Sequence, residues 1–399
     1  MNIESNLVKN NFFSIHAIAI ISFAQLFGTS LWFSANSVVL DLIREWNISV
    51  ADIGWLTNAL QIGFILGTFF IAFTGIADRF KASSIFAIAG LFGAFFNLCF
   101  AWIANGLIEA MIYRFLVGVC LAGIYPIGMK LVIQWAPDKT GQVLAKLVAM
   151  LTLGTALPYG LNGLSANLNW QYVITFSSVL ALIAASLVFK LGDRENYVSA
   201  IRTKYNSRAL EVFKIPKFKA AAIGYFGHMW ELYAFWTVIP LYIVKSGIPE
   251  SLGFNSVALL TFFVMACGAA GCIVSGFLST KIGSTKVAIG ALLISGICCL
   301  IFVLGWRLLP EWLLFIILVI WGTSVIADSP QFSALSAEAC PPEKLGAALA
   351  IQNSIGFAIT IISIGLTTYA FDYIGLNSAW ILLIGPVLGI AGFYYVKNI

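Results

Sequence analysis

Charged residues are scarce in this sequence. Of its 399 residues, 10% are Asp, Glu, Lys or Arg and 60% are hydrophobic, with a mean hydropathy of +0.95. Soluble domains carry about 25% charged residues. The composition therefore excludes an ordinary soluble protein and predicts a chain that crosses a membrane several times. The net charge of +5 does not indicate nucleic-acid binding, because membrane proteins distribute their basic residues by sidedness.

Motifs for catalysis and for metal or cofactor binding are missing too. The seven cysteines show no CxxC spacing and lie almost entirely in apolar segments, which predicts buried thiols rather than disulfides or metal ligands. The sequence contains no HExxH or GxSxG motif, so no known catalytic motif of these kinds suggests an enzyme. No GxxxxGK[ST] loop offers a nucleotide site, so any work the protein does must draw on an ion gradient. We expect no cofactor and no metal.

What the sequence does contain is a series of apolar segments separated by short polar breaks. Each is about 20 residues long or longer, which suits a transmembrane helix and excludes barrel strands. The sequence therefore predicts an all-α multi-pass membrane protein of twelve transmembrane helices. The segments lie at about 14–40, 51–76, 83–104, 107–135, 141–165, 171–191, 218–245, 255–280, 285–305, 312–336, 345–370 and 378–397.

The basic residues predict the orientation. With a cytoplasmic N-terminus, 17 of the 22 Lys and Arg residues fall in inner segments, and only Arg44, Lys245 and Arg307 fall in outer ones. This satisfies the positive-inside rule. We expect a protein of the cell (inner) membrane, embedded in the lipid bilayer, with both termini in the cytoplasm.

One long polar segment, 192–217, divides the predicted helices six and six. It predicts an N-terminal half (1–191), a cytoplasmic linker (192–217) and a C-terminal half (218–399). The basic linker suits either a segment lying along the inner leaflet or a flexible tether.

The two halves repeat a pattern of glycine and proline. Gly118 is followed eight residues later by Pro126, and Gly322 is followed eight residues later by Pro330. Internal repeats in a multi-pass protein point to a transporter built from two related halves.

The link between the second and third helices, residues 75–81, carries a recognisable pattern. Gly75 permits a tight turn, and Arg79 and Lys81 hold the link at the inner surface. The order Gly75-x-x-Asp78-Arg79-x-Lys81 closely resembles the signature loop of the major facilitator superfamily. Residues 113–118 resemble that family's helix-four motif. Residues 154–163 are similar to its helix-five motif, except that Leu157 precedes Pro158 where glycine is usual.

The resemblance covers the whole chain, and it implies the family's fold and mode of action. The two pseudo-symmetric halves would rock around a central cavity, and the protein would be a monomer. Gly75, Asp78, Arg79 and Lys81 would act as a gating motif. Asp78 would meet the positive N-terminal end of helix eleven, near residues 343–346, and latch the outward-facing state.

Polar and aromatic residues within several predicted helices fall on shared faces, as expected for a wet cavity. Single polar residues of this kind also hold helices together, so both interpretations stay open. The candidate substrate-binding residues are Gln25, Trp32, Asn36, Asn58, Gln61, Arg114, Tyr125, Trp230, Trp321 and Gln352.

Three residues are candidates for proton coupling. His228 and Glu231 are one turn apart, and Glu231 lies about 20 Å into its helix at about 1.5 Å per residue. Burial disfavours a charged carboxylate, and a nearby imidazole can exchange protons with it. A structural hydrogen-bonded pair is the alternative, and one His with one Glu supplies too few ligands for a metal. Asp328, beside Pro330, is either a second titrating group or structural.

Arg114 allows three interpretations. It can bind a carboxylate or phosphate of the substrate, pair with an acid inside the membrane, or extend towards the outer interface. Together these features predict a transporter that takes up a small organic solute, anionic or amphipathic, by symport with protons. Efflux of amphipathic compounds by proton antiport is the alternative, and a non-transporting membrane sensor is a more remote one.

Overall fold

In this computed structural model, every regular element among the described residues is a helix. The structure describes residues 2–136, 140–165, 168–194, 209–254, 256–341 and 344–397. The α-helices in these ranges are α1 (Asn2–Thr29), α2 (Ser34–Ser37), α3 (Val39–Trp46), α4 (Val50–Thr74), α5 (Ile76–Arg79), α6 (Ala82–Trp102), α7 (Leu107–Ala122), α8 (Tyr125–Trp135), α9 (Thr140–Leu164), α10 (Trp170–Leu191), α11 (Pro216–Lys245), α12 (Ile248–Leu252), α13 (Val257–Ile282), α14 (Ser284–Gly305), α15 (Glu311–Ser324), α16 (Ser329–Ala339), α17 (Leu345–Ile374) and α18 (Ala379–Lys397).

Helices occupy each of the twelve segments predicted from the sequence, and the all-α class is confirmed. Within the described ranges, nine runs are long and apolar enough to span a membrane. One of them, Ala348–Val396, contains both α17 and α18, and a shorter apolar run covers His16–Thr29 of α1. The count of twelve membrane crossings stays a prediction.

The helices form two bundles, and two helix pairs make the most extensive contacts between them. In the N-terminal bundle (α1–α10), α4 packs on α7 and α6 on α10, and in the C-terminal bundle (α11–α18), α11 packs on α18 and α13 on α15. Helix α4 packs on α17, and α9 on α13, across the interface. We call the face with residues 75–81 inner, following the predicted orientation. The predicted domain boundaries stay a prediction, because 195–208 lie outside the described residues.

Glycines bring helices into backbone contact in both bundles. A Cβ atom on Gly118 of α7 would lie 2.0 Å from the carbonyl oxygen of Leu60 in α4. One on Gly322 of α15 would lie 2.3 Å from the carbonyl oxygen of Val264 in α13. Small residues permit such close packing between membrane helices, so the repeated glycine of the sequence has the same role in each bundle.

The repeated prolines mark equivalent helix breaks. Helix α7 ends at Ala122 and α8 begins at Tyr125, so Pro126 lies in the first turn of α8. Likewise, Pro330 lies in the first turn of α16, after the end of α15. Proline suits a first turn because the amide hydrogen it lacks has no partner within the helix there.

The first helix was predicted as one continuous segment, but it is broken. Helix α1 ends at Thr29 and α2 begins at Ser34. Thr29 Oγ1 donates to the Gln25 carbonyl at 2.7 Å, and Ser30 Oγ donates to the Phe27 carbonyl at 2.6 Å. Hydroxyls that bond back in this way weaken and bend a helix.

Residues after α10 fasten the inner ends of two neighbouring helices. The Asp193 carboxylate accepts from the backbone amides of Ala82 and Ser83, at the start of α6. Partial burial raises the pKa of Asp193, but hydrogen bonds, chiefly from Ser83, outweigh it and lower this pKa overall. Arg194 donates to the Gln134 carbonyl at the end of α8. The negative charge of Asp193 therefore lies at the positive N-terminal end of α6, and the positive charge of Arg194 lies at the negative C-terminal end of α8.

The backbone contact at Gly118 leads to a stability prediction. Gly118→Ala should lower the unfolding temperature, because the added methyl group overlaps the Leu60 carbonyl and overpacking costs roughly 1–3 kcal/mol. The matched control is Gly290→Ala in α14, where a Cβ meets nothing within 4 Å. Thermal unfolding in detergent, followed by tryptophan fluorescence, measures both; equal unfolding temperatures would contradict the packing argument.

Candidate functional site

Five aromatic side chains meet at the centre of the interface between the bundles. Trp32, Phe64 and Tyr125 come from the N-terminal bundle, and Tyr233 and Phe357 come from the C-terminal bundle. The Trp32 ring centre lies 4.8 Å from Phe64, 5.8 Å from Tyr233 and 6.0 Å from Phe357. Phe64 and Phe357 are 4.6 Å apart. We call this group the aromatic chamber.

Local structure positions these rings. Trp32 lies in the break of the first helix, between the end of α1 and the start of α2. On α11, Tyr225, Met229 and Tyr233 follow a spacing of four and share a face. A Cβ on Gly356 of α17 would lie 2.6 Å from the Tyr225 ring, so this glycine allows α17 to approach that face.

Several predicted polar residues are buried without hydrogen-bond partners among the described residues. Gln61 of α4 and Gln352 of α17 lack partners for both side-chain polar atoms, and Trp32 lacks one for its indole nitrogen. Asn58 Nδ2 donates to the Ile361 carbonyl at 3.0 Å, while its Oδ1 has no partner. Buried polar groups are normally paired, so this concentration of free donors and acceptors marks the α4–α17 side of the interface as suited to a polar solute.

Arg114 is buried, with 1% of its surface exposed, and it is directed at the broken first helix. Its Nη1 donates to the Leu31 carbonyl at 3.1 Å and to Asn97 Oδ1 at 3.0 Å, and its Nη2 donates to the Trp32 carbonyl at 2.5 Å. Nη1 also lies 3.1 Å from Ser34 Oγ. No ion pair involves Arg114 within the described ranges, so carbonyl dipoles and neutral side chains solvate this cation.

Glu231 lies inside the C-terminal bundle rather than in the aromatic chamber. Its Oε1 accepts from the Trp321 indole at 2.7 Å, and its Oε2 accepts from the Ser295 hydroxyl at 2.8 Å. Trp321 stacks on Phe235 with ring centres 4.4 Å apart. Trp321 therefore contacts the proposed proton site and not the interface where substrate binding was predicted.

His228 pairs with Asp328 and not with Glu231, the partner that the sequence predicted. The His228 Nδ1 atom lies 2.7 Å from Asp328 Oδ1, an ion-pair separation without the alignment of a hydrogen bond, and both side chains are buried. Asp328 lies at the break between α15 and α16, where the chain leaves the helical path. The His228 ring is also 5.9 Å from Tyr225, so this pair borders the α11 face that leads to the chamber.

Three other predicted residues lie away from the chamber. The Trp230 indole donates to the Ile381 carbonyl of α18 at 2.7 Å. Asn36 donates to Thr57 at 2.9 Å and so ties α2 to α4. The amide of Gln25 packs against α8: a Cβ on Gly128 would lie 2.1 Å from its Oε1.

The predicted gating loop is only partly described. Gly75 adopts the left-handed conformation with φ of 64°, which explains the glycine at this turn. Arg79 and Lys81 are exposed. The side chain of Asp78 lies outside the described residues. Lys130 of α8 donates a hydrogen bond to the Ala77 carbonyl, a contact with the loop that its sequence position did not indicate.

The bundles touch closely at the outer face. A Cβ on Gly54 of α4 would lie 2.1 Å from Thr368 Oγ1 of α17, and one on Gly163 of α9 would lie 2.3 Å from Leu259 Cγ of α13. Both helix pairs of the interface are thus in contact on the outer side of the chamber. The conformation is closed towards the outer face.

Four residues of these sites were not predicted from the sequence: Phe64, Tyr233, Phe357 and Ser295. Phenylalanine in an apolar segment looks the same whether it faces lipid or a chamber, so Phe64 and Phe357 carried no signal. For Tyr233 a signal existed, because it repeats the face of Tyr225 two helical turns later. Ser295 is one of many serines in apolar segments.

Comparison with known proteins agrees with this architecture. The model of the Major Facilitator Superfamily matches residues 18–364. Two solved structures share the fold over 97% of this chain: a bacterial homolog of the human lysosomal transporter Spinster (TM-score 0.72, 14% identity, 97% of that chain), and a variant of the nucleoside transporter NupG (TM-score 0.74, 12% identity, 99% of that chain). The chain is therefore a transporter and belongs to the Major Facilitator Superfamily.

A curated relative offers a more specific similarity. The niacin transporter NiaP of Acinetobacter baylyi is 31% identical over 100 residues. The match spans 25% of this chain and 22% of that transporter's length.

Arg114 supports a prediction about the broken helix. Arg114→Lys should lower the unfolding temperature, because a single ammonium nitrogen cannot occupy the positions of both Nη1, which bonds Leu31 and Asn97, and Nη2, which bonds Trp32. Each lost buried bond costs roughly 1–3 kcal/mol. The matched control is Arg44→Lys, since Arg44 is exposed and pairs with Asp41. An equal effect of both substitutions on thermal unfolding would show that Arg114 does not support this break.

Proposed function

We propose that this transporter takes up a small planar aromatic anion together with protons. The observation that carries the proposal is the aromatic chamber between the bundles, whose rings pack on one another with centres 4.6–6.0 Å apart. When the bundles separate there, rings from both sides would be free to stack on one flat solute ring. The free amides of Gln61 and Gln352 are suited to polar substituents at its edge. Niacin, the solute named for the relative NiaP, is a pyridine ring that carries a carboxylate.

The preference for an anion rests on Arg114. Its guanidinium binds the backbone carbonyl of Trp32 and has no carboxylate partner among the described side chains. A buried cation behind the central ring of the chamber attracts negative charge, and the effect is strong because little water screens it. The buried acids Glu231 and Asp328 both lie in the opposite bundle.

Protons are the proposed driving ion. Glu231 and the His228–Asp328 pair are ionisable groups deep in the C-terminal bundle, and such groups inside membranes commonly form proton relays. The pair borders Tyr225, near the chamber, so protonation there can alter the helix faces that contact the solute. Glu231 is farther from the chamber and would act through Trp321 and Ser295.

Uptake is the proposed direction, with a monomer in the cell membrane and both termini in the cytoplasm. Leu157 in place of the usual glycine of the helix-five motif favours symport over antiport. Export by antiport is the competing outcome, and the test below separates the two by the sign of the proton movement.

The first test compares two solutes of the same shape in proteoliposomes. Labelled nicotinate should accumulate when the lumen is made alkaline, and a protonophore should abolish the accumulation. Nicotinamide, neutral but otherwise similar, should be transported far more slowly. A pH dye in the lumen should report acidification during nicotinate uptake. Alkalinisation would indicate export, and no transport of either solute by folded protein would overturn the proposed substrate class.

A variant pair tests the chamber itself. Phe357→Leu should raise the KM for nicotinate roughly two- to tenfold, because it removes one aromatic face. Phe95→Leu is the control, since this phenylalanine of α6 is 55% exposed on the outside of the bundle. Equal KM values for both variants would argue against solute stacking on Phe357.

Proton coupling leads to a separate prediction for Glu231. Glu231→Gln should reduce proton-driven accumulation by roughly tenfold or more while sparing exchange of internal for external solute, because glutamine cannot release a proton. Glu250→Gln, at an exposed carboxylate near the outer face, should change neither. If accumulation survives in Glu231→Gln but is lost in Asp328→Asn, the coupling group is the His228–Asp328 pair.

A further inference from the structure

The start of α4 leaves two backbone amides without partners from its own cap. The Ser49 hydroxyl accepts from the Asp52 amide at 3.2 Å, and the Asp52 carboxylate accepts from the Ser49 amide at 2.9 Å. This capping box, with its reciprocal bonds, is a common helix start. The amides of Val50 and Ala51 remain, and helix geometry offers them no carbonyl.

Asp372 of α17 binds both of these amides. Its Oδ1 accepts from the Val50 amide at 3.2 Å, and its Oδ2 accepts from the Ala51 amide at 3.0 Å. The two residues belong to different bundles, so a carboxylate of the C-terminal bundle completes the cap of a helix in the N-terminal bundle. A negative charge at the positive end of a helix adds a favourable electrostatic interaction.

The contact lies at the outer face, next to the closest packing between the bundles. Asp372 is one helical turn beyond Thr368, whose hydroxyl packs on Gly54 of α4. If the bundles separate on this side, the carboxylate must leave the two amides, which water then solvates. The interaction therefore exists only while the outer face is closed.

We propose that Asp372 is the outer latch of this transporter, a positioning residue that favours the outward-closed conformation. Helices α4 and α17 run antiparallel, so each presents an N-terminus at one face and an aspartate near its C-terminal end at the other. Family resemblance assigns an inner latch between Asp78 and the start of α17. Asp372 and the start of α4 form the corresponding pair at the outer face, and rocking of the bundles would exchange one latch for the other.

Two other charged side chains belong to the same part of the outer face. The Asp52 carboxylate is held by the Ser49 amide in the capping box, and Lys245 Cε lies 3.8 Å from where a Cβ on Gly375 would be, at the end of α17. The latch does not depend on which solute is carried.

The test measures exposure at the second outer contact, far from Asp372 in sequence and on the other helix pair. Leu259→Cys places a thiol where α13 packs on Gly163 of α9. In nanodiscs, adding Asp372→Asn should increase its rate of maleimide labelling roughly two- to fivefold, the range expected when a charge is removed from a helix end. Protein without Leu259→Cys gives the background from the native cysteines.

Two further variants make the outcome decisive. Asp372→Glu should return the labelling rate towards that of the Leu259→Cys parent, because it restores the carboxylate. Asp41→Asn should leave the rate unchanged, since Asp41 lies at the same face but pairs with Arg44 within α3. If Asp372→Asn and Asp372→Ala label at the parent rate, or only lower the unfolding temperature, Asp372 is a structural cap and the latch proposal is wrong.

Discussion

The break in the first helix depends on one buried cation. Ending α1 at Thr29 releases backbone carbonyls in the interior of the protein, where an unpaired carbonyl is costly. Arg114 supplies several donors in a fixed planar arrangement, and it binds the carbonyls of Leu31 and Trp32. The cation and the broken backbone thus compensate each other, and Trp32 is free to enter the interface between the bundles.

The contacts within each bundle differ in kind from the contacts across the interface between the bundles. Within each bundle, glycines such as Gly118 and Gly322 bring backbones together, and these contacts cannot open without disrupting the helix packing. Across the interface, rings stack and a carboxylate meets a helix end, and these contacts can be broken and remade as units. This difference lets whole bundles move while the interior of each stays packed.

Much of the fold was predictable because the membrane imposes it. Lipid requires long apolar helices, so hydropathy located the segments, and the loop at 75–81 identified the family. The site was less predictable. Arg114 was predicted to bind substrate, to pair with an acid or to extend towards the outer interface, but it binds backbone carbonyls and neutral side chains. Trp230 and Trp321 were predicted to line the cavity, but they donate to the Ile381 carbonyl and to Glu231. Helical spacing defines a face of a helix, not the neighbour which that face meets.

The sequence by itself determined the class, because composition, segment length and the repeated Gly118 and Gly322 are properties of the chain that need no partner. Only the tertiary structure decided which groups meet. His228 pairs with Asp328 instead of the neighbouring Glu231, and Asp372 reaches a helix more than 300 residues earlier. The physical reason is that pairing of buried polar groups depends on distance and direction across helices, which local sequence does not encode.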